Sequence, residues 1–269
     1  MCIKHDFHMH SDFSADCKTP ADQMIRQAIE LGLDGICFTE HHDLEVPADL
    51  DFSIDFDRYF SRMQDLREQY QGQIQLQIGM EFGLQMQLSS VLQDLTKTYP
   101  FDFIIASQHF VDHADPYYPV FFEGKEERIA YEQFFQEQYE TLIRFKDFDT
   151  LGHMDYIVRY GPDQNKYYSY KAYADYIDPI LNYLIENGKC LEVNTGGYRY
   201  GLGETNPASD VLKRYRELGG ELITVGSDAH TPDYIHYEFD RTCEALLQLG
   251  FRYYTVFEQR QPTHLPLSD

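Results

Sequence analysis

Short apolar runs alternate with amphipathic stretches along almost the whole chain, and that alternation limits the folds open to it. The runs cover 3–7, 35–39, 74–80, 103–107, 150–152, 190–194 and 222–226, with an eighth candidate at 253–257. Each is short, apolar and bounded by polar or turn residues, as a strand buried on both faces must be. Between them the spacing predicts helices near 20–31, 55–70, 89–98, 126–145, 168–187, 207–218 and 239–249. Thr19-Pro20 and Asn206-Pro207 read as an N-cap followed by a proline in the first turn. Gly32, Gly188, Gly219 and Gly250 read as helix stops. Strand–helix alternation of this kind makes a parallel α/β sheet. Seven or eight such units without a linker predict one closed barrel domain over residues 1–269.

Composition narrows the chemistry. There are 22 Lys and Arg against 45 Asp and Glu, a formal charge of −23. Phosphate neutralisation along a nucleic acid needs a basic footprint, and an anionic membrane would repel this chain. Hydrophobic residues make up 43% of the sequence, with 22 Tyr and 19 Phe, so the charge does not imply disorder. No apolar run approaches a membrane span and no hydrophobic leader opens the chain, so the expected location is the cytoplasm. The five cysteines, at 2, 17, 37, 190 and 243, show no CxxC pairing and are expected as reduced, mostly buried thiols.

The chemistry-bearing residues fall at one end of the predicted strands. His8 and His10 end the first, His41 and His42 follow the second, and Glu81 follows the third. His109 follows the fourth, His153 the fifth, Glu192 and Asn194 end the sixth, and Asp228 and His230 follow the seventh. In a parallel barrel these ends share one face. Seven of the eleven histidines sit there, a placement that packing alone does not call for strand after strand. Converging imidazoles and carboxylates are ligands for divalent metals. Alternate residues of an extended HxH segment face the same way, so both rings can reach one ion. Glu81 is a candidate bridge between two ions. His5, His113, His236 and His264 fit ordinary structural roles.

In this order the motifs His8-x-His10, Thr39-Glu40-His41, Glu81, Ser107-x-His109, Gly152-His153 and Ser227-Asp228-Ala229-His230 resemble the polymerase-and-histidinol-phosphatase (PHP) phosphoesterases. The resemblance spans nearly the whole chain. It implies a distorted, TIM-like (β/α)7 barrel, with the eighth strand outside the regular series, and a centre of three divalent ions, Zn, Mn or Fe. His8, His10, Glu81 and Asp228 would hold the first ion. Glu81, His109 and His153 would hold the second, and Asp16, His41 and His230 the third. Many relatives carry His where this chain has Asp16.

Within the family the chain looks like the bacterial monofunctional L-histidinol-phosphate phosphatases of histidine biosynthesis, with residues 192–199, EVNTGGYR, close to their Glu-x-Asn-Thr-Ser-Gly-x-Arg segment. The implied reaction is hydrolysis of a phosphate monoester by a hydroxide bridging two ions. Arg159 and Arg199 would clamp the phosphate. His42 is a candidate contact to phosphate or leaving group, and Ser14 a candidate donor to phosphate. Asp115, Tyr117 and Phe110, on the long loop after the fourth strand, are candidates to face the amine and imidazole. Three other readings stand beside this one: a PHP phosphoesterase acting on nucleotides, a barrel amidohydrolase, and a metal-binding domain without turnover. The amidohydrolase reading lacks a bridging lysine on the fourth strand, which ends Ser107-Gln108-His109.

Overall fold

The computed structural model describes residues 2–46 and 51–268, so both ends of the expected 1–269 domain and residues 47–50 lie outside it. Seven parallel strands form the sheet: β1 (His5–Met9), β2 (Gly35–His42), β3 (Gln75–Gly83), β4 (Phe103–Ser107), β5 (Thr150–Leu151), β6 (Cys190–Asn194) and β7 (Ile223–Gly226). They follow one another in chain order. The ends meet where Met9 bridges Ala229, with the Asp228 amide donating to the His8 carbonyl at 2.8 Å and the His10 amide to that of Ala229 at 2.9 Å. The helices between the strands are α1 (Ala21–Glu30), α2 (Phe56–Gln69), α3 (Ser89–Thr98), α4 (Glu127–Leu142), α5 (Ala174–Glu186), the single turn α6 (Gly196–Arg199), α7 (Ser209–Glu217) and α8 (Phe239–Gln248). The distorted (β/α)7 barrel implied by the resemblance is the observed fold. Among the described residues no helix is long and apolar enough to cross a membrane.

Strand alternation divides the core. Ile36 and Phe38 of β2, Leu76, Ile78, Met80 and Phe82 of β3, and Leu191 and Val193 of β6 belong to the large cluster that the helices cover. The intervening residues point into the barrel. There Phe7, Cys37, Phe103, Ile105, Cys190 and Phe257 form a second, small cluster at the floor. Space inside is tight: a Cβ on Gly79 would lie 2.8 Å from Cys37 Sγ. Further along the strands the inward residues become polar, and those are the candidate ligands.

The floor is closed by an antiparallel hairpin, β8 (Tyr253–Glu258) and β9 (Gln261–Pro266), outside the seven-stranded sheet. Phe257 from β8 packs on Phe103 with ring centroids 5.1 Å apart. The turn residues Gln259 and Arg260 have φ of 50° and 63°, the left-handed pair that a two-residue hairpin requires. Arg260 reaches the carboxylates of Asp147, at 3.1 Å, and Asp149, at 2.5 Å. The eighth run is therefore a strand but not a barrel strand. Its partner β9 has no apolar alternation to betray it, because most of its residues are exposed.

Other departures have local causes. Thr19 does not cap α1: Pro20 holds that position, and the Thr19 hydroxyl donates instead to the His230 carbonyl at 3.1 Å. The helix after Asn206-Pro207 begins only at Ser209, because the Asn206 side chain is taken up by Arg159 and Asp155. Between 168 and α5 there is one short 3₁₀ turn, Tyr170–Ala172, rather than helix from 168. The cysteines also depart from expectation. Cys2 and Cys243 are paired as a disulfide across 241 residues, while Cys17, Cys37 and Cys190 are buried and free. Sequence spacing hid the pair, because barrel closure brings the first residues against α8.

Phe257→Ala should lower stability by about 3 kcal/mol, the usual loss for emptying a buried phenyl site. The denaturant midpoint should fall while metal content per chain stays at the wild-type value, since the floor lies at the other end of the barrel.

Candidate metal centre and active site

Glu81 lies at the middle of the open end of the barrel. It points inward from β3, fully buried, beside His41 of the neighbouring strand β2. Its Oε1 is 2.9 Å from His153 Nε2 and 3.3 Å from His109 Nε2. Its Oε2 is 3.1 Å from His41 Nδ1, 3.2 Å from His8 Nε2 and 3.6 Å from His10 Nε2. Burial alone would raise the Glu81 pKa, but His8, His41 and His109 outweigh it and hold the carboxyl well below its usual range.

The three ligand sets expected from the resemblance can each be measured. In the first, His8 Nε2 and His10 Nε2 lie 3.7 and 3.5 Å from Asp228 Oδ1, and both face Glu81 Oε2. In the second, His109 Nε2 and His153 Nε2 are 3.4 Å apart and share Glu81 Oε1. In the third, Asp16 Oδ2 is 3.2 Å from His230 Nε2 and 3.6 Å from His41 Nε2. A tetrahedral ion with bonds near 2.0–2.1 Å sets its donors roughly 3.3 Å apart. The donor set therefore fits divalent ions. His10 Nε2 is also buried without a hydrogen-bond partner, which suits a ligand lone pair.

The far side of several rings is anchored, a common arrangement for metal-binding histidines. His8 Nδ1 is 2.5 Å from Glu192 Oε1, and the other oxygen of Glu192 accepts the His153 amide at 2.6 Å. His109 Nδ1 is 2.8 Å from Asp43 Oδ1, and His230 Nδ1 donates to the Asp228 carbonyl at 3.0 Å. Asp228 has φ of 57°, an uncommon left-handed conformation that Asp tolerates better than most residues. Two residues earlier, a methyl on Gly226 would collide with His8.

Arg159 joins the cluster from the turn after β5. It is buried and donates through Nη1 to Asp228 Oδ2 at 2.9 Å, through Nε to Asn206 Oδ1 at 2.8 Å, and through Nη2 to Asn194 Oδ1 at 3.0 Å. Asn206 cannot flip, because its Nδ2 donates to Asp155 Oδ1 at 2.6 Å. Burial works against the Arg159 charge, but Asp228 more than restores it, so the guanidinium stays protonated. A guanidinium has five N–H groups. Three are used, which leaves one on each terminal nitrogen.

A cavity of about 310 Å³ opens over this floor. Asp16, His41, His109, His153, Asp228, His230 and Arg159 line its base, and Phe52, Phe110, Asp115, Tyr117, Tyr118, Tyr156, Tyr160 and Tyr200 line its walls. Phe110, Asp115 and Tyr117 thus line the cavity.

Three other candidates are not on its lining. His42 turns the opposite way from His41, between Phe56 and Phe82 with ring centroids at 4.9 and 5.8 Å, and its Nδ1 accepts from the Ile54 amide at 3.3 Å. Burial lowers its pKa to about 4. The cause is strand alternation, which sends adjacent residues to opposite faces, so the phosphate or leaving-group role for His42 is withdrawn. The Ser14 hydroxyl is buried and bonded to Glu40 at 2.5 Å, and a phosphate contact does not follow from that geometry. Arg199 stands beside the cavity, donating to the Asp228 carbonyl at 3.2 Å and stacked 5.2 Å over Tyr200.

Asp43, Glu40, Asn206 and the Tyr156, Tyr160 and Tyr200 wall were missed as site residues. Asp43 had a visible signal, a carboxylate directly after His41-His42 at a strand end. Asn206 had none, since it reaches Arg159 from a distant loop.

Comparisons with known proteins agree with the fold and with the motif order. The PHP domain model matches residues 6–196. Histidinol-phosphatase of Lactococcus lactis is 33% identical over 228 residues, 84% of each chain. A probable histidinol-phosphatase of Thermotoga maritima is 30% identical over 252 residues, 93% of this chain and 94% of that one. The crystal structure of the Lactococcus lactis histidinol phosphate phosphatase, complexed with zinc, L-histidinol and phosphate, superposes with a TM-score of 0.90 at 30% identity, covering 97% of this chain and 98% of that one. With its ligand-bearing strand ends, its barrel and these relatives, the chain belongs to the PHP domain family.

Proposed function

We propose that this chain is a metal-dependent phosphomonoesterase that hydrolyses L-histidinol phosphate to L-histidinol and phosphate, acting in the cytoplasm as one barrel unit. The observation that carries the reading is Asp228, which joins a cationic fork to the imidazole cluster: one oxygen faces His8 and His10 and the other holds Arg159. The histidinol-phosphatase relatives support the choice of substrate.

His8, His10, Glu81 and Asp228, then Glu81, His109 and His153, then Asp16, His41 and His230 would hold three divalent ions, Zn, Mn or Fe. When bound, such ions supply Lewis acidity and an acidified water. The protein's own part is orientation and charge. Arg159 offers its two free N–H groups to phosphate oxygens, and its fixed plane costs no reorganisation when charge develops there. Arg199 adds a second positive charge behind Asp228. At the other end Asp115 supplies an acceptor for the substrate amine. Burial raises the Asp115 pKa, and an ammonium group beside it would offset that cost. Tyr117 and Phe110 supply flat apolar surface for the imidazole. The strongly acidic exterior suits a small ester with its own positive end better than a polyanion.

Phosphate release from L-histidinol phosphate with Mn²⁺ or Zn²⁺ is the direct assay. Turnover well above a metal-only control is expected, with little release from a nucleoside bisphosphate; the opposite ranking would move the reading to nucleotides. Glu81→Ala should lose bound metal and activity together, and wild-type stoichiometry in that variant would remove Glu81 from the centre. Arg159→Lys keeps the charge but not the fork. It should lower kcat/KM by roughly 10–100-fold, about 1.4–2.7 kcal/mol of transition-state stabilisation, with metal content retained.

A further inference from the structure

We infer that Ser14 and Glu40 are positioning residues that fix the tautomer of His10, so that its Nε2 presents a bare lone pair to the centre. This rests on the metal-centre reading above, but its first consequence concerns the protein without metal. The Ser14 hydroxyl has three neighbours: Glu40 Oε2 at 2.5 Å, the His41 main-chain N–H at 3.0 Å and His10 Nδ1 at 3.2 Å. A hydroxyl has one proton to give and two lone pairs. An ionised carboxylate only accepts, so the proton goes to Glu40. The His41 amide only donates, so it takes one lone pair. The other lone pair faces His10 Nδ1, which must therefore carry a hydrogen, leaving Nε2 unprotonated. That nitrogen is buried with no hydrogen-bond partner, 3.5 Å from Asp228 Oδ1 and 3.6 Å from Glu81 Oε2.

Burial raises the Glu40 pKa, while the donors around it, with the charge of His41, pull it back toward the ionised, accepting form. Glu40 is fully buried, and besides Ser14 it receives the Ser11 amide at 3.0 Å and the Ser11 hydroxyl at 2.6 Å. His8 and His109 each meet a carboxylate directly, Glu192 and Asp43. His10 Nδ1 meets the Ser14 hydroxyl instead of a carboxylate, and the serine carries the same polarity one bond further. The relay also joins two strands, because one hydroxyl holds the His10 ring after β1 and the main chain of His41 on β2. Glu40 leaves the inward-facing set because it lies between Thr39 and His41, yet the Ser11–Ser14 turn folds over to meet it.

The decisive measurement is the long-range ¹H–¹⁵N spectrum of metal-stripped protein with ¹⁵N-labelled histidine. His10, assigned by comparison with His10→Gln, should show hydrogen on Nδ1 and a bare Nε2. Hydrogen on Nε2 would overturn the inference even if metal binding is normal. The second measurement is metal affinity by chelator competition. Ser14→Ala should weaken the affinity roughly 10–100-fold, the usual cost of losing an outer partner of a metal-binding histidine. Glu40→Gln can accept from Ser14 and the Ser11 amide while donating to the Ser11 hydroxyl, so it should keep the tautomer and most of the affinity. Unchanged metal affinity in Ser14→Ala, with weaker inhibition by inorganic phosphate, would return Ser14 to a phosphate contact and refute the relay. Should Ser14→Ala fail to fold, the wild-type spectrum still decides. If wild-type protein binds no divalent ion while the spectrum shows the expected tautomer, the metal-centre reading fails and the tautomer assignment stands.

Discussion

A carboxylate buried at the centre of five imidazoles is the constraint on which the rest of the structure depends. Glu81 has no solvent contact, and His8, His10, His41, His109 and His153 each approach it within 3.6 Å. Removing such a charge from water costs several kcal/mol unless neighbouring charges and hydrogen bonds offset it. The offset has to come from four separate chain segments, since His8 and His10 share one. Their positions are therefore tied to one another, and the barrel is what ties them. Parallel pairing sets His41 beside Glu81 across β2 and β3, and the main-chain bonds from Asp228 and His10 close the ring between the last strand and the first.

The same constraint explains the unequal ends of the barrel. The floor is apolar, narrow and sealed by Phe257, so it holds strand spacing without polar groups to satisfy. The open end spends its inward positions on donors and acceptors. Those groups are arranged in concentric partners: imidazole nitrogens inward, and Glu192, Asp43, the Asp228 carbonyl and the Ser14–Glu40 pair behind them. Each outer partner removes one rotational or tautomeric choice from a ring. A lone histidine could not be held this way; the order of the cluster comes from having the far nitrogens of His8, His10, His109 and His230 answered.

Much of this was legible in the chain because both the barrel and its ligands repeat with the strands. The fourth and sixth strands, 103–107 and 190–194, have the ends read from apolar runs, and the polar groups there follow: His109 after the fourth, Glu192 and Asn194 at the end of the sixth. Legibility stopped where a residue's role depends on contacts far away in sequence. Strand alternation sends His41 inward and His42 outward, but which of two adjacent histidines goes inward depends on register with β3. Ser14 looked like a phosphate donor because its loop follows HxH; its actual partner Glu40 lies 26 residues away. The Cys2–Cys243 pair and the Asn206 contact to Arg159 are longer-range still. The polar strand β9 gave no periodic signal because it buries little.

On the proposed reading, the pairing of Asp228 with Arg159 would reference a phosphate end to the imidazole cluster with little freedom between them. Oδ1 of Asp228 faces His8 and His10, while Oδ2 holds Nη1 of Arg159. A carboxylate is rigid, so the distance between those two environments is set by one planar group rather than by loop conformation. Asn194 and Asn206 then fix the guanidinium plane, and the left-handed backbone at Asp228 turns its side chain back toward β1. A more flexible link, such as lysine in place of Arg159, would keep the charge but lose that reference. Rate enhancement by a fixed charge depends on its being in place before charge develops. In this barrel that preorganisation comes from the hydrogen bonds behind Arg159 as much as from Arg159 itself.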